Sequence, residues 1–149
     1  MIKSIATADI TQDHPLTQSI QKIVSRHRGK GHPIDLSREA PGILLLISPR
    51  DQPDNAVASL RYYPRGAFAY VNLVHTLSEY RGQGYSIALF RHLFETNPHL
   101  DIILDVEITN TPAISLYQKL RFQFVISNLN QSPADTDGDH IMMMRPHQD

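Results

Sequence analysis

Arg81-Gly82-Gln83-Gly84-Tyr85-Ser86 lies between two apolar runs. The run over residues 68–74 reads as a strand, and the run over residues 87–95 as a helix. Two glycines at a strand-to-helix turn leave backbone N–H groups that no side chain shields. The first turn of any helix adds N–H groups without internal partners. Together they attract anions, phosphates above all. The stretch predicts an α/β chain that holds a phosphate-bearing ligand, and the surrounding sequence must say which one.

Upstream, residues 2–6 read as a first strand. Asp13-His14-Pro15 offers a helix start, and Leu16, Ile20, Ile23 and Val24 follow at helical spacing. Residues 35–40 read as a short second helix. Strands are expected over 43–48, 56–63 and 67–76, with short turn-rich links that suggest an antiparallel meander. Downstream, Leu89, Phe90, Leu93 and Phe94 make an apolar helical stripe that Asn97-Pro98 ends. A strand over 101–108 and a helix over 111–120 follow, the helix capped by Asn110 or Thr111 with Pro112 near its start. Strands over 122–126 and 141–144 complete the chain, on either side of a polar loop. The expected order is β-α-α-β-β-β-α-β-α-β-β. That is an α/β (α+β) single domain over residues 1–149, with a mixed, mostly antiparallel central sheet flanked by helices.

The totals narrow the function classes. At 149 residues, 41% of them hydrophobic and 19% charged, the chain has the composition of one globular domain. A formal net charge of -1 gives no support to a nucleic-acid partner. The absence of cysteine excludes disulfides, thiolate metal sites and a cysteine nucleophile. The first residues lack the apolar core of a signal peptide, and the aliphatic run over 43–47 is far short of a membrane span. A cytoplasmic protein without membrane partners is expected.

Several phosphate-binding patterns compete for the glycine turn. A P-loop needs Gly-Lys-Ser/Thr, but Gly84 is followed by Tyr85-Ser86. A dinucleotide fingerprint needs a third glycine where the chain has Ile87, although Asp105 lies downstream about where that motif expects an acid. A plain tight turn is the bland alternative. The sequence Glu79-Tyr80-Arg81-Gly82-Gln83-Gly84 resembles the central motif of the GNAT-type N-acetyltransferases, Gln/Arg-x-x-Gly-x-Gly/Ala. Arg81 and Gly84 match it, and Ser86 stands where Gly or Ala is usual. A second stretch strengthens the resemblance. Leu104, Val106, Asn110, Ala113, Leu116, Tyr117, Lys119, Leu120 and Phe122 are similar to the family's Asn-x-x-Ala-x-x-Leu-Tyr-x-Lys-Leu-Gly-Phe segment. Arg121 replaces its glycine, which there would end the helix left-handed; either Arg takes that conformation at a cost of about 1 kcal/mol or the helix ends differently. Close similarity covers about residues 68–124.

The resemblance implies acetyl-CoA as cosubstrate and a primary amine as acceptor. It maps contacts with the thioester and pantetheine arm to Val74, His75 and Thr76. It maps pyrophosphate binding to Arg81, Gly82, Gln83, Gly84, Tyr85 and Ser86, and a further cofactor contact to Asn110. Tyr117 becomes the candidate general acid, since a phenol with pKa about 10 is protonated at neutral pH. Tyr117 also belongs to an apolar helical stripe with Ala113, Leu116 and Leu120, so a core role is its plain alternative. The base is open. Residues 67–74 carry no carboxylate, so the version with a Glu on that strand is absent. Asp105 stands five residues before Asn110, where some relatives carry an acid, and Glu107 shares its strand face. Glu79 and His75 rank behind them, and a water chain to solvent is an alternative to any single side chain.

Other sites are weaker. The eight histidines form no metal-binding spacing, and no metal is expected. Asp135-Thr136-Asp137-Gly138-Asp139 lacks the Gly and Glu placement of a calcium loop. Arg26, His27, Arg28, Lys30, His32 and Arg38 form a basic cluster in a region that often lines the acceptor site in such enzymes; a solvated loop is the plain reading. The expected function is acetyl transfer from acetyl-CoA to the primary amine of a small molecule, peptide or protein, by direct attack in a ternary complex. A degenerate acyl-CoA-binding sensor is the rival, and a nucleotide-binding α/β domain a more distant one. The resemblance also allows an edge-strand homodimer.

Overall fold

The computed structural model describes residues 1–6, 16–27, 42–125 and 140–148. Its elements are β1 (Ile2–Ala6), α1 (Thr17–His27), β2 (Ile43–Ile47), β3 (Ala58–Arg65), β4 (Phe68–Thr76), α2 (Tyr85–Thr96), β5 (Asp101–Glu107), α3 (Thr111–Lys119), β6 (Gln123–Phe124) and β7 (His140–Arg145). A 3₁₀ turn, Ser78–Tyr80, stands between β4 and α2. The strands run in the order β1-β2-β3-β4-β5-β7-β6. The β1–β2, β2–β3, β5–β7 and β6–β7 pairs are antiparallel, and β4–β5 is parallel. The expected mixed, mostly antiparallel sheet with a meander at its start is therefore present. The helix expected over 35–40 and the acidic loop at 135–139 lie outside the described residues.

Two compact units divide the chain. One comprises Met1–Tyr63 and Asn72–Thr96, the other Pro64–Val71 and Asn97–Asp149. In the first, Leu16, just before α1, and Ile20 and Ile23 of α1 pack against Leu44, Leu46, Ala56, Leu73 and Leu77, with Ile5 and Tyr80 at the margin. These are the positions picked out by helical spacing in α1 and by aliphatic content in β2. Full burial of each such side chain contributes about 1.5–3 kcal/mol. The stripe on α2 is likewise buried at Leu89, Phe90 and Leu93. Arg61 is buried too; its Nε donates to Asn72 Oδ1 at 2.9 Å, and its guanidinium carbon lies 5.3 Å from the Tyr63 ring centroid.

Strand β3 runs further than its sequence suggests. Pro64 reads as the start of a turn, yet the strand continues to Arg65 and the link to β4 falls at Gly66, with φ +60°. The pairing of β3 with β2 spans Ala58 to Tyr62, so the missing N–H of Pro64 costs that ladder nothing. Leu73, inside β4, has φ +53°. A bulky residue there carries about 1–2 kcal/mol of strain. Its buried side chain and the Ser59 hydroxyl, which donates to the Leu73 carbonyl at 2.8 Å, hold it in place.

In the second unit, β4 contributes Phe68 to Val71, paired with Asp101 to Leu104. Ile102, Leu104 and Val106 alternate inward along β5, and Ile141 and Met143 do so along β7. Strand β6 is only two residues long, shorter than its apolar run suggests. Helix α3 starts at Asn110, whose side chain accepts from the Ala113 N–H at 3.3 Å. It ends with Arg121 left-handed at φ +74°, one of the two endings the sequence leaves open. The Phe122 N–H donates to the Tyr117 carbonyl at 2.9 Å, and the Arg121 N–H to the Gln118 carbonyl at 3.1 Å. This is a Schellman closure with Arg in place of Gly, and the Tyr117 and Phe122 rings pack across it at 5.7 Å. Arg145 adds a cap by donating from Nε to the Leu120 carbonyl at 3.1 Å. Burial, and then the charge of Arg121, lower the pKa of Arg145. Arg121→Gly therefore relieves backbone strain and a like-charge contact together. We expect it to raise stability by about 1 kcal/mol, or Tm by about 3 °C in a thermal melt.

Candidate active site

The glycine turn begins where β4 ends. The Leu77 carbonyl accepts from the Tyr80 N–H at 2.9 Å, closing the 3₁₀ turn. Gly82 and Gly84 follow with φ of +77° and +84°, conformations that L side chains rarely adopt. The Gly84 carbonyl accepts from the Ala88 N–H at 3.0 Å, so Gly84 caps α2. The N–H groups of Tyr85, Ser86 and Ile87 then have no partner within the helix. No acidic residue occupies the first turn of α2 to compete with an incoming anion. A Cβ added at Gly82 or Gly84 would meet no protein atom within 4 Å. The turn thus has open space at both glycines and a positive helix end, features that attract anions.

Side chains tie this turn to β4. Arg81 Nε donates to the Thr76 carbonyl at 3.2 Å. The Thr76 and Ser86 hydroxyl oxygens are 2.7 Å apart and share a hydrogen bond. The Tyr80 and Tyr85 rings meet edge to face at 6.2 Å across the turn. Of the sequence-predicted cofactor residues in this unit, the structure joins Thr76, Arg81 and Ser86 by direct bonds. Val74 and His75 precede Thr76 on β4, just after the left-handed Leu73. Glu79 is exposed in the 3₁₀ turn and accepts from the Ser78 hydroxyl at 3.1 Å.

The second unit carries the other candidates. Tyr117 on α3 is 7% exposed, and burial pushes its phenol up to about 12. Tyr117 is thus a core residue whose buried phenol is held in its protonated form. Asp105 and Glu107 project from the same, exposed face of β5. Asp105 Oδ2 accepts from the Tyr70 hydroxyl at 2.8 Å. Tyr70 went unnoticed in the sequence because it is 35 positions away and meets Asp105 only through parallel β4–β5 pairing. Among the described residues, no group of three or more His, Asp or Glu side chains is placed to hold a metal ion.

A family model described as "Acetyltransferase (GNAT) family" matches residues 14–122. The chain belongs to the acetyltransferase (GNAT) family. Its fold is shared by a proposed acyl-CoA N-acyltransferase from Klebsiella pneumoniae, with 20% identity, TM-score 0.71, and coverage of 99% of this chain and 97% of that one. It is also shared by the ribosomal-protein-S18-alanine N-acetyltransferase of Escherichia coli, with 19% identity, TM-score 0.70, and coverage of 100% and 96%. An acyl-CoA N-acyltransferase from Pseudomonas aeruginosa follows at 17% identity, TM-score 0.67, and coverage of 97% and 98%. At these identities the likeness shows the GNAT fold and says nothing of the acceptor. No curated protein matches the chain significantly in sequence. Among the described residues, no helix is long and apolar enough to cross a membrane.

Proposed function

We propose that this GNAT chain transfers an acetyl group from acetyl-CoA to a primary amine by direct attack in a ternary complex, as one catalytic domain. The observation that carries the reading is the open glycine turn capping α2, with its unpartnered N–H groups and no acidic residue in the first turn. The cosubstrate would supply the acetyl group as a thioester. Arg81, Gly82, Gln83, Gly84, Tyr85 and Ser86 bind the pyrophosphate, and Asn110 adds a contact. Backbone donors of Val74, His75 and Thr76 hold the thioester carbonyl and its developing charge.

Two proton transfers remain. An acceptor amine with pKa near 10.4 must lose a proton before it attacks. Asp105, held by Tyr70, takes that proton, with Glu107 beside it on the strand face; Glu79 and His75 are the weaker candidates. Tyr117 hands a proton to the departing sulfur. A phenol pushed up to about 12 is a weak acid. It releases its proton only as the C–S bond breaks and charge builds on sulfur, and until then it stays loaded.

Asp105→Asn should lower kcat by about 100-fold with CoA affinity unchanged, and Tyr70→Phe by a smaller factor, in steady-state assays with a saturating amine. A pH–rate profile flat across the ionisation of every candidate group would remove the side-chain base. Ligand choice is tested by melting: CoA should raise Tm, and NAD or ATP should not.

A further inference from the structure

The family pattern places Gly or Ala where this chain has Ser86, and that departure has a partner. The Ser86 hydroxyl oxygen lies 2.7 Å from the hydroxyl of Thr76, the last residue of β4, and both residues are half-buried. The carbonyl of the same Thr76 accepts from Arg81 Nε at 3.2 Å. Thr76 thus fixes the turn at two points, at its entry through Arg81 and at its exit through Ser86.

Two hydroxyls carry two protons, and only one proton can lie between the two oxygens. When Thr76 donates to Ser86, the Ser86 hydroxyl keeps its own proton for a further acceptor. Ser86 is the second residue of α2, so its backbone N–H is among the unpartnered donors of the helix end. Ser86 can then offer an N–H and an O–H from one residue, whereas Gly or Ala offers only the N–H.

We propose that Ser86 is a side-chain ligand of the cofactor pyrophosphate and that Thr76 is the positioning residue that aims it. The inference rests on the acetyl-CoA reading above and deepens it: the phosphate cradle of this chain is built with a hydroxyl pair at a position where the family usually relies on backbone alone. A hydrogen bond to a charged group is stronger than one between neutral groups. Its loss is therefore visible as a change in affinity.

The test measures CoA binding by calorimetry for the wild type, Ser86→Ala, Thr76→Val and Thr76→Ser. Acetyl-pantetheine, which carries the thioester and lacks the pyrophosphate, is the second ligand. Ser86→Ala should weaken CoA by about tenfold or more, and leave acetyl-pantetheine unchanged. Thr76→Val should weaken CoA by a smaller factor, and Thr76→Ser should restore it. The double variant Thr76→Val with Ser86→Ala should bind like Ser86→Ala alone, since Thr76 acts through Ser86. Equal CoA affinity in wild type and Ser86→Ala overturns the inference and leaves the acetyl-CoA reading standing. Equal losses for both ligands also overturn it, because the hydroxyl then shapes the turn without touching phosphate. A wild-type chain that binds no CoA overturns the acetyl-CoA reading and the inference with it.

Discussion

Tyr117→Phe should lower kcat by about 100-fold while the Kd for CoA stays within twofold. The substitution removes one oxygen and keeps the ring, so the packing against Phe122 at 5.7 Å survives. A general acid acts in the transition state, so its loss appears in kcat and not in ground-state binding. The check is steady-state turnover, with single-turnover kinetics to show that chemistry limits the rate. Unchanged kcat under that condition removes the acid role. The burial that keeps the phenol protonated has its own signature. Its pKa is about 12 in the folded chain and near 10 in the unfolded one. The folded state therefore holds more protons between those values, and stability falls as pH rises through them. The associated stability is fully present below about pH 10 and is lost by roughly 2–3 kcal/mol towards pH 12. Chemical denaturation at pH 9 and 11 should show a smaller alkaline loss for Tyr117→Phe than for the wild type. The same shift predicts that no fall in kcat near pH 10 comes from Tyr117.

Gly84→Ala should weaken CoA by at least about tenfold in the same binding assay. A Cβ at this position meets nothing within 4 Å, so the penalty is conformational and not steric. At φ +84° an L side chain is strained by about 1–2 kcal/mol. The turn relaxes, and the N–H groups at the start of α2 lose their common direction. Gly66→Ala is the control. Gly66 also has positive φ and open space around it, but it belongs to the β3–β4 link. Its substitution should cost similar stability and leave CoA affinity intact. Equal loss of affinity in both variants would mean that general destabilisation, and not the turn, weakens binding.

Local patterns were legible in the sequence. Helical spacing picked out the buried faces of α1 and α2, and Asn110 or Thr111 with Pro112 marked the start of α3, while the way the helix closes at Arg121 stayed open. Each depends on residues within one or two turns of one another. Features set by partners far along the chain were not legible. Nothing in an apolar strand marks Leu73 as left-handed; its strain is held by Ser59, fourteen positions away. Pro64 read as a turn because its tolerance depends on where β2 stops pairing. Tyr70 and Asp105 meet through strand register, which alternation within either strand cannot reveal. The Thr76–Ser86 pair was hidden because Ser86 registered only as a tolerated departure from a small-residue position.

Proton chemistry divides along the same line. The carboxylates of β5 and the phenol of α3 were identifiable as residue types at family positions. What each can do depends on burial for Tyr117 and on exposure and Tyr70 for Asp105. Those are tertiary properties. The glycine turn differs because its backbone direction follows locally from two glycines and a helix start.

Acetyl transfer from acetyl-CoA to an amine is tested most directly by thiol release from acetyl-CoA across a panel of primary amines, including peptide α-amines. The acetylated product is counted by mass in the same samples. At least one amine should yield thiol and acetylated product in equal amounts, with both suppressed together in Tyr117→Phe. Tight CoA binding with no amine acetylated would contradict it, and would leave the turn as the anchor of a binding module.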